Sequence, residues 1–183
     1  PPPYSSAASD VYKRQDTSYL ANDRPRYTML MGIEIPNGQG NTIFSSGFNA
    51  YKKLPDEVKH KIKNATGIFS SAGPIAVTRL EREKEMGIKS SDSMEAEHPI
   101  VKRVNGKKTL YISPGHLMKI KNVDEKDAAY LKKYLVEHVN KKEFIFSYEW
   151  SKGDICLWDN LSILHMASEI KNCRRVMHRI TMK

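Results

Sequence analysis

Gly153-Asp154-Ile155-Cys156-Leu157-Trp158-Asp159-Asn160-Leu161-Ser162-Ile163-Leu164-His165 is the stretch on which the reading turns. Lys152-Gly153-Asp154 reads as a turn, Ile155 to Trp158 as a strand, Asp159-Asn160 as a second turn, and Ser162 to His165 as another short strand. Short β-rich runs bounded by Gly, Asp and Asn are the signature of tightly connected strands. Downstream, residues 174–182, RRVMHRITM, alternate polar and apolar and predict a closing strand. On such a strand Arg175, Met177 and Arg179 share one face.

Working outward, the same grammar recurs. Residues 26–35 form an apolar, β-rich run ending at Pro36, Asn37 to Asn41 is a turn cluster, and Thr42-Ile43-Phe44 begins a second strand. Pro55 followed by Asp56 and Glu57 is a first-turn signature, predicting a helix over 55–65. Residues 66–96 read as an irregular, mobile insertion. Asn105-Gly106, between β-rich runs, predicts a hairpin. Ala128, Leu131, Leu135 and Val139 fall at helical spacing within 124–140. Phe144 to Trp150 alternates as a strand. Many short strands, two helices and Gly/Pro turns predict a mostly β fold, an antiparallel barrel or jelly roll with helices on one side.

Composition narrows the classes. The chain has 183 residues, the length of one domain, and 39% hydrophobic against 28% charged residues is a globular balance. No apolar run approaches the ~18 residues of a membrane helix. The formal charge is +9, from 30 basic and 21 acidic residues. The bases interleave with acids, as in Asp124-Glu125-Lys126-Asp127, which reads as solvated surface and not as a nucleic-acid stripe. Cys156 and Cys173 form no CxxC and no disulfide framework, and the expectation is a reducing, cytoplasmic setting.

Of 6 histidines, His60 and His138 sit among Lys and Glu on helices and read as surface residues. His98 precedes Pro99 and reads as a loop residue, and His116, after Pro114-Gly115, is ambiguous: a loop residue, or a residue that touches the site and is the first to examine as a further ligand. His165 stands apart because it ends the compact block above.

Near the other end stands Asp16-Thr17-Ser18-Tyr19. With the Gly38-Gln39-Gly40-Asn41-Thr42 turn, AYKKLP, EHPIV, LYISPGH, the W-x-x-GD-x-x-x-WDN block, His165 and RRVMHR, the ordered set resembles the taurine dioxygenase and dichlorophenoxyacetate dioxygenase family of Fe(II)- and 2-oxoglutarate-dependent oxygenases. The resemblance runs from Asp16 to Lys183. It implies a double-stranded β-helix (a cupin-like jelly roll), incomplete at its N-terminus. It also implies oxidative decarboxylation of 2-oxoglutarate with O2, giving succinate and carbon dioxide and hydroxylating an unactivated C–H bond.

Such enzymes hold iron with two His and one carboxylate on one face. On the family pattern, Asp16 is the metal carboxylate and His165 the distal metal His. Arg175 and Thr42 take the distal carboxylate of 2-oxoglutarate, Arg offering a bidentate fork. Arg179 faces an anionic organic substrate, and Tyr19 borders it. The substrate class implied is a small organic acid: a sulfonate, a sulfate ester or an aryloxy acid. Trp158 and Asp159-Asn160 read as shaping the turn that presents His165.

The first metal His of the family's H-x-D motif falls two places before Asp16, where this chain has Arg14. Arginine is always protonated and cannot ligate iron. Residues 1–15, PPPYSSAASDVYKRQ, resemble translated sequencing-adapter DNA. The expectation is therefore a non-native leader over 1–15, a dioxygenase domain over 16–183, and little activity in the chain as written; a natural disordered tail is the alternative. Two rival classes stand beside the enzyme: a catalytically silent jelly-roll small-molecule-binding protein and a basic nucleic-acid module. Oligomeric state, including a homo-oligomer, is left open.

Overall fold

The computed structural model describes residues 15–74 and 93–183. Eleven strands and three helices are found among the described residues, and every described strand pair is antiparallel. The N-terminal part gives β1 (Tyr27–Glu34), β2 (Thr42–Ser46), α1 (Gly47–Lys52), α2 (Asp56–Ile62) and β3 (Thr66–Ser70). The middle gives β4 (Glu95–Pro99), β5 (Val101–Val104), β6 (Lys107–Leu110), β7 (Leu117–Lys121) and α3 (Glu125–Val139). The chain closes with β8 (Ile145–Tyr148), β9 (Ile155–Asp159), β10 (Ile163–Ala167) and β11 (Val176–Met182).

The last four strands alternate between two sheets, ordered β11-β1-β9 and β10-β2-β8. Strands from the two ends of the chain are thus wound together in two sheets, the arrangement of a jelly roll. Phe44 on β2 and Trp158 on β9 join the sheets by an edge contact at 5.2 Å between ring centroids. A third sheet, β4-β3-β7, and the β5-β6 hairpin complete the scaffold. Asn105 and Gly106 both take positive φ at the hairpin, the backbone a two-residue primed turn needs.

Local chemistry accounts for the helices. Ser46 accepts a hydrogen bond from the Asn49 amide to start α1, and Asp124 accepts one from Lys126 to start α3. Acids fill the first turn of α2 and α3, where the helix dipole favours them. Helix α3 buries Leu131, Leu135, His138 and Val139, one face at helical spacing. Leu131, Leu135 and Val139 join Leu54, Ile62, Phe69, Ile100, Leu117 and Leu164 in the main apolar cluster. The outer face of β10-β2-β8 meets this cluster, Leu164 by packing and Ser45 through a 2.6 Å bond from its hydroxyl to the Val139 carbonyl.

Several expectations are corrected. The irregular insertion expected over 66–96 is bounded by ladder: Thr66–Ser70 pairs with Glu95–Pro99 and with Leu117–Lys121. Its centre, 75–92, lies outside the described residues, as do residues 1–14 of the leader expected over 1–15. Strand β7 follows the loop at Ser113–His116 where no strand was expected, and the helix expected over 55–65 is joined by a separate α1. His138 is no surface residue: it is buried, its Nε2 donating to the Ala50 carbonyl at 2.9 Å. His98 is no loop residue but a buried member of β4, packed against Phe69 and Tyr111. None of the described helices is long and apolar enough to cross a membrane.

Candidate active site

Alternation along the two interleaved sheets decides which side chains face each other. In the register of β1 with its neighbours, Thr28 lies opposite Trp158 and Thr181, and Leu30 opposite Cys156 and Arg179. Paired residues share a face, so Thr28, Trp158 and Arg179 look the same way, toward β10-β2-β8. On that second sheet His165 lies opposite Phe44. Trp158 and His165 meet at 4.8 Å between ring centroids.

The turn beginning at Asp16 inserts into this space. Asp16 is buried, and three groups converge on its carboxylate. His165 Nε2 stands 3.4 Å from Oδ1, Arg179 Nη1 3.6 Å from the same oxygen, and the Thr28 hydroxyl donates to Oδ2 at 2.7 Å. Burial alone would raise the Asp16 pKa. The hydrogen bond and charge of His165, the Thr28 hydroxyl and the Arg179 charge together outweigh it and hold the group well below the usual carboxylate range. Asp16 is therefore ionised at neutral pH.

The turn itself is anchored from below. Thr17 adopts positive φ, and the Leu20 amide closes the turn on the Thr17 carbonyl. His116 Nδ1 lies 2.7 Å from the Ser18 hydroxyl and 3.2 Å from that of Ser113, while the Gln15 amide donates to Ser113 at 3.1 Å. His116, whose role the sequence left open, is thus a buried hub joining the Asp16 turn to the Ser113–His116 loop. The contact the structure gives Tyr19 is with this hub, edge-on to His116 at 5.1 Å.

A second polar group lies at the start of β11. Arg175 directs Nη2 to the Thr42 hydroxyl at 3.4 Å, and Trp150 Nε1 donates to the same oxygen at 2.9 Å. With two N–H donors on its oxygen, the Thr42 hydroxyl proton is left to point at a further acceptor. Burial lowers the Arg175 pKa, and among the described residues no carboxylate pairs with it. Its Nε is buried without a partner. Gly40 makes room: its φ is +73°, and a Cβ there would stand 2.7 Å from Arg175 Cδ. A half-buried, uncompensated guanidinium beside a hydroxyl proton is a receptor for a carboxylate.

The structure therefore brings Asp16, His165 and Arg179 together, and Thr42 with Arg175. Sequence reasoning missed Thr28, Trp150 and Gly40 as contributors and left His116 open. Trp150 and Gly40 lay within quoted motifs, whereas nothing local marks Thr28. Among the described residues no group of three or more His, Cys, Asp or Glu is placed to hold a metal. Asp16 and His165, one carboxylate and one imidazole, fit two positions of a site built from two His and one carboxylate.

Known proteins match the chain over most of its length. The family model "Taurine catabolism dioxygenase TauD, TfdA family" matches residues 3–181. The chain is 31% identical over 169 residues to an alkylsulfatase of Acinetobacter baylyi, covering 86% of this chain and 52% of that protein. It is 27% identical over 169 residues to an alpha-ketoglutarate-dependent sulfate ester dioxygenase of Pseudomonas putida, covering 86% and 55%. The chain spans about half the length of the curated relatives it matches. Among solved structures, AAD-2 in complex with Mn(II) and N-oxalylglycine superposes with a TM-score of 0.79 at 24% identity, covering 95% of this chain and 69% of that one.

Proposed function

The chain belongs to the TauD, TfdA family of taurine catabolism dioxygenases, and from that premise we propose that it forms the metal- and 2-oxoglutarate-binding part of an Fe(II)-dependent dioxygenase. The substrate class is a small anionic organic molecule: a sulfate ester first, with sulfonates and aryloxy acids as the neighbouring classes. Similarity to a sulfate ester dioxygenase supports that order. The observation that carries the reading is Arg175, a half-buried cation with its Nε enclosed, whose polar contact is the Thr42 hydroxyl and which pairs with no acid among the described residues.

In this reading Asp16 and His165 hold the metal, and Arg175 with Thr42 takes the distal carboxylate of 2-oxoglutarate. The bound metal supplies the oxidative decarboxylation of 2-oxoglutarate by O2 and the hydroxylation of the substrate C–H bond. The chain's own residues orient and exclude. Trp158 packs on His165 and fixes its ring, Phe44 closes the space between the sheets, and the two arginines set the poles at which two anions bind. Arg179, over half exposed, is the residue for the substrate's anionic group, with Tyr19 at the border. A cytoplasmic setting and no nucleic-acid partner belong to the same reading.

The family's first His falls at position 14, which is Arg14 in this chain and outside the described residues. Two protein ligands in place of three predict weak metal binding and little turnover. The chain as written is then a silent 2-oxoglutarate-binding jelly roll, the second reading that Arg14 itself favours. Mn(II) and Fe(II) titration, with succinate measured in the presence of an alkyl sulfate, is the test. The unmodified chain is expected to bind 2-oxoglutarate with little succinate formed, and Arg14→His to gain metal affinity. Robust turnover by the unmodified chain would show that the ligand set is wrong, and failure to bind 2-oxoglutarate in both forms would remove the Arg175 assignment.

A further inference from the structure

We infer that Asn160 and Thr28 form a one-way hydrogen-bond relay, locked by Trp158, that occupies Oδ2 of Asp16 and leaves Oδ1 as the oxygen for a metal. The inference rests on the reading of Asp16 as a metal carboxylate, and concerns two residues to which that reading gives no role. Their four groups come from distant parts of the chain: Asp16 and Thr28 near its start, Trp158 and Asn160 at the β9–β10 turn.

The direction of the relay follows from what each group is able to do. Indole Nε1 is only a donor. It lies 2.9 Å from Asn160 Oδ1, so that oxygen is the acceptor and the amide cannot be turned over. The same orientation is held from the other end, because Asn160 Nδ2 reaches the Pro25 carbonyl at 3.3 Å, and a proline carbonyl only accepts. Asn160 Nδ2 must then donate to its other neighbour, the Thr28 hydroxyl, at 2.8 Å. With its oxygen accepting from Asn160, Thr28 has its own proton for Asp16 Oδ2 at 2.7 Å. An ionised carboxylate only accepts, so every link agrees with the next. Thr28, Trp158 and Asn160 are all buried, so water does not compete for these bonds.

The consequence lies in the other oxygen. Oδ1 is the one that faces His165 Nε2 at 3.4 Å and Arg179 at 3.6 Å. With Oδ2 engaged by a directed donor, Asp16 is held in a fixed orientation that turns Oδ1 toward the imidazole. Partners behind a metal ligand commonly set its orientation and basicity in this way. Thr28 and Asn160 are positioning residues, since neither touches the pair of proposed metal donors except through Asp16 Oδ2.

Three variants test the relay: Thr28→Val removes the donor at nearly constant shape, Thr28→Ser restores it, and Asn160→Asp keeps the shape but turns the Thr28 proton away from Asp16. Two measurements separate the relay from the reading beneath it. The first needs no metal: the Asp16 carboxylate stretch in 13C-aspartate-labelled protein, identified by subtraction of Asp16→Asn. Thr28→Val and Asn160→Asp should shift that band while Thr28→Ser leaves it in place, with thermal unfolding showing that each variant folds. An unshifted band in folded Thr28→Val or Asn160→Asp, or a Thr28→Ser band matching Thr28→Val, overturns the relay.

The second measurement is Mn(II) affinity, read in the Arg14→His background that supplies the third ligand. Thr28→Val and Asn160→Asp should weaken it by about 10–100-fold, the usual loss when a ligand's partner is removed, and Thr28→Ser should restore it. For Asn160→Asp the sign is diagnostic, because an added negative charge alone would tighten a cation. Equal or tighter Mn(II) binding in Asn160→Asp overturns the positioning role. A shifted band in a protein that binds no Mn(II) in any form, Arg14→His included, supports the relay and overturns the metal reading instead.

Discussion

The cluster beneath α3 and the space between the two interleaved sheets bury side chains by different means. Beneath α3 the contacts are apolar: Ile62, Phe69, Leu117, Leu131, Leu135 and Leu164 are fully enclosed. None of the residues in that cluster comes from β1, β9 or β11. Between the sheets the buried groups are Asp16, Thr28, Thr42, Asn160 and His165, joined by directed hydrogen bonds and ion pairs. The outer face of β11-β1-β9 differs again, leaving Ile155, Leu157 and Ile180 more than half exposed. Apolar burial is non-directional and tolerates exchange of like for like, while buried polar groups are costly unless each partner is in place. Stability should therefore reside mainly on the helical side and ligand recognition on the other.

The sharpest way to break that division is Arg175→Ala. Loss of a half-buried cation opposite a carboxylate costs roughly 2 kcal/mol or more, so 2-oxoglutarate affinity should fall by well over tenfold while thermal stability changes little. Isothermal titration with 2-oxoglutarate in the presence of Mn(II) reads the first, and a melting curve reads the second. Comparable losses in both would dissolve the distinction between the two regions.

Leu135→Ala is the converse. Truncating a fully buried leucine costs about 3 kcal/mol through lost transfer energy and the cavity left behind. Urea unfolding should show that loss, with 2-oxoglutarate affinity of the folded fraction unchanged. A matching fall in affinity would mean that the core and the site are one mechanical unit.

Lys102 tests the core side with pH. Burial, and next the Arg24 charge, lower its pKa to about 7, and its Nζ lies 3.5 Å over the Tyr111 ring. A cation's pKa lowered on folding means that the unfolded chain holds the extra proton between about pH 7 and its ordinary value of 10.5. Stability from this group therefore rises with pH across that window, and its penalty is fully present below it. Lys102→Met should stabilise by roughly 1–2 kcal/mol near pH 6, the cation–π contact offsetting part of the penalty, and the gain should vanish by pH 10. Chemical denaturation at both pH values checks the sign. His98 adds a lower window, since burial, then Lys102 and Arg24, push its pKa down to about 4. Stability should fall as pH drops from about 6.5 toward 4.

The smallest effect is expected on the outer face. Leu157→Lys with Ile180→Lys should change stability by no more than about 0.5 kcal/mol and raise the concentration at which the protein precipitates. A large loss of stability would show that this face is already covered in solution.

How much was legible in the sequence divides along the same line. The strands around the Ile155–His165 block, the Asn105-Gly106 turn and the apolar face of α3 are local patterns, set by alternation, by residues tolerant of positive φ and by helical spacing. They appear in the structure where periodicity placed them. Asp16, His165, Thr42, Arg175 and Arg179 were singled out by ordered motifs, and the structure sets Asp16 beside His165 and Arg179, and Thr42 beside Arg175. Strand β3 was hidden inside the stretch 66–96, where Ser70-Ser71 and Gly73-Pro74 read as irregular. In the fold Gly67 is packed so closely that a Cβ would stand 2.8 Å from Ile100 and Leu117.

What only the tertiary structure decided are the partners of polar side chains. His138 looked like a solvated helix residue until α1 brought the Ala50 carbonyl to it, 88 positions away in sequence. Thr28 looked like one more β-former until Asn160, 132 positions distant, and the Asp16 turn met at its hydroxyl. Period and propensity depend on a residue and its near neighbours. A hydrogen bond between side chains depends on where two far parts of the chain come to rest, and that position is fixed by the packing of sheets and helices around them.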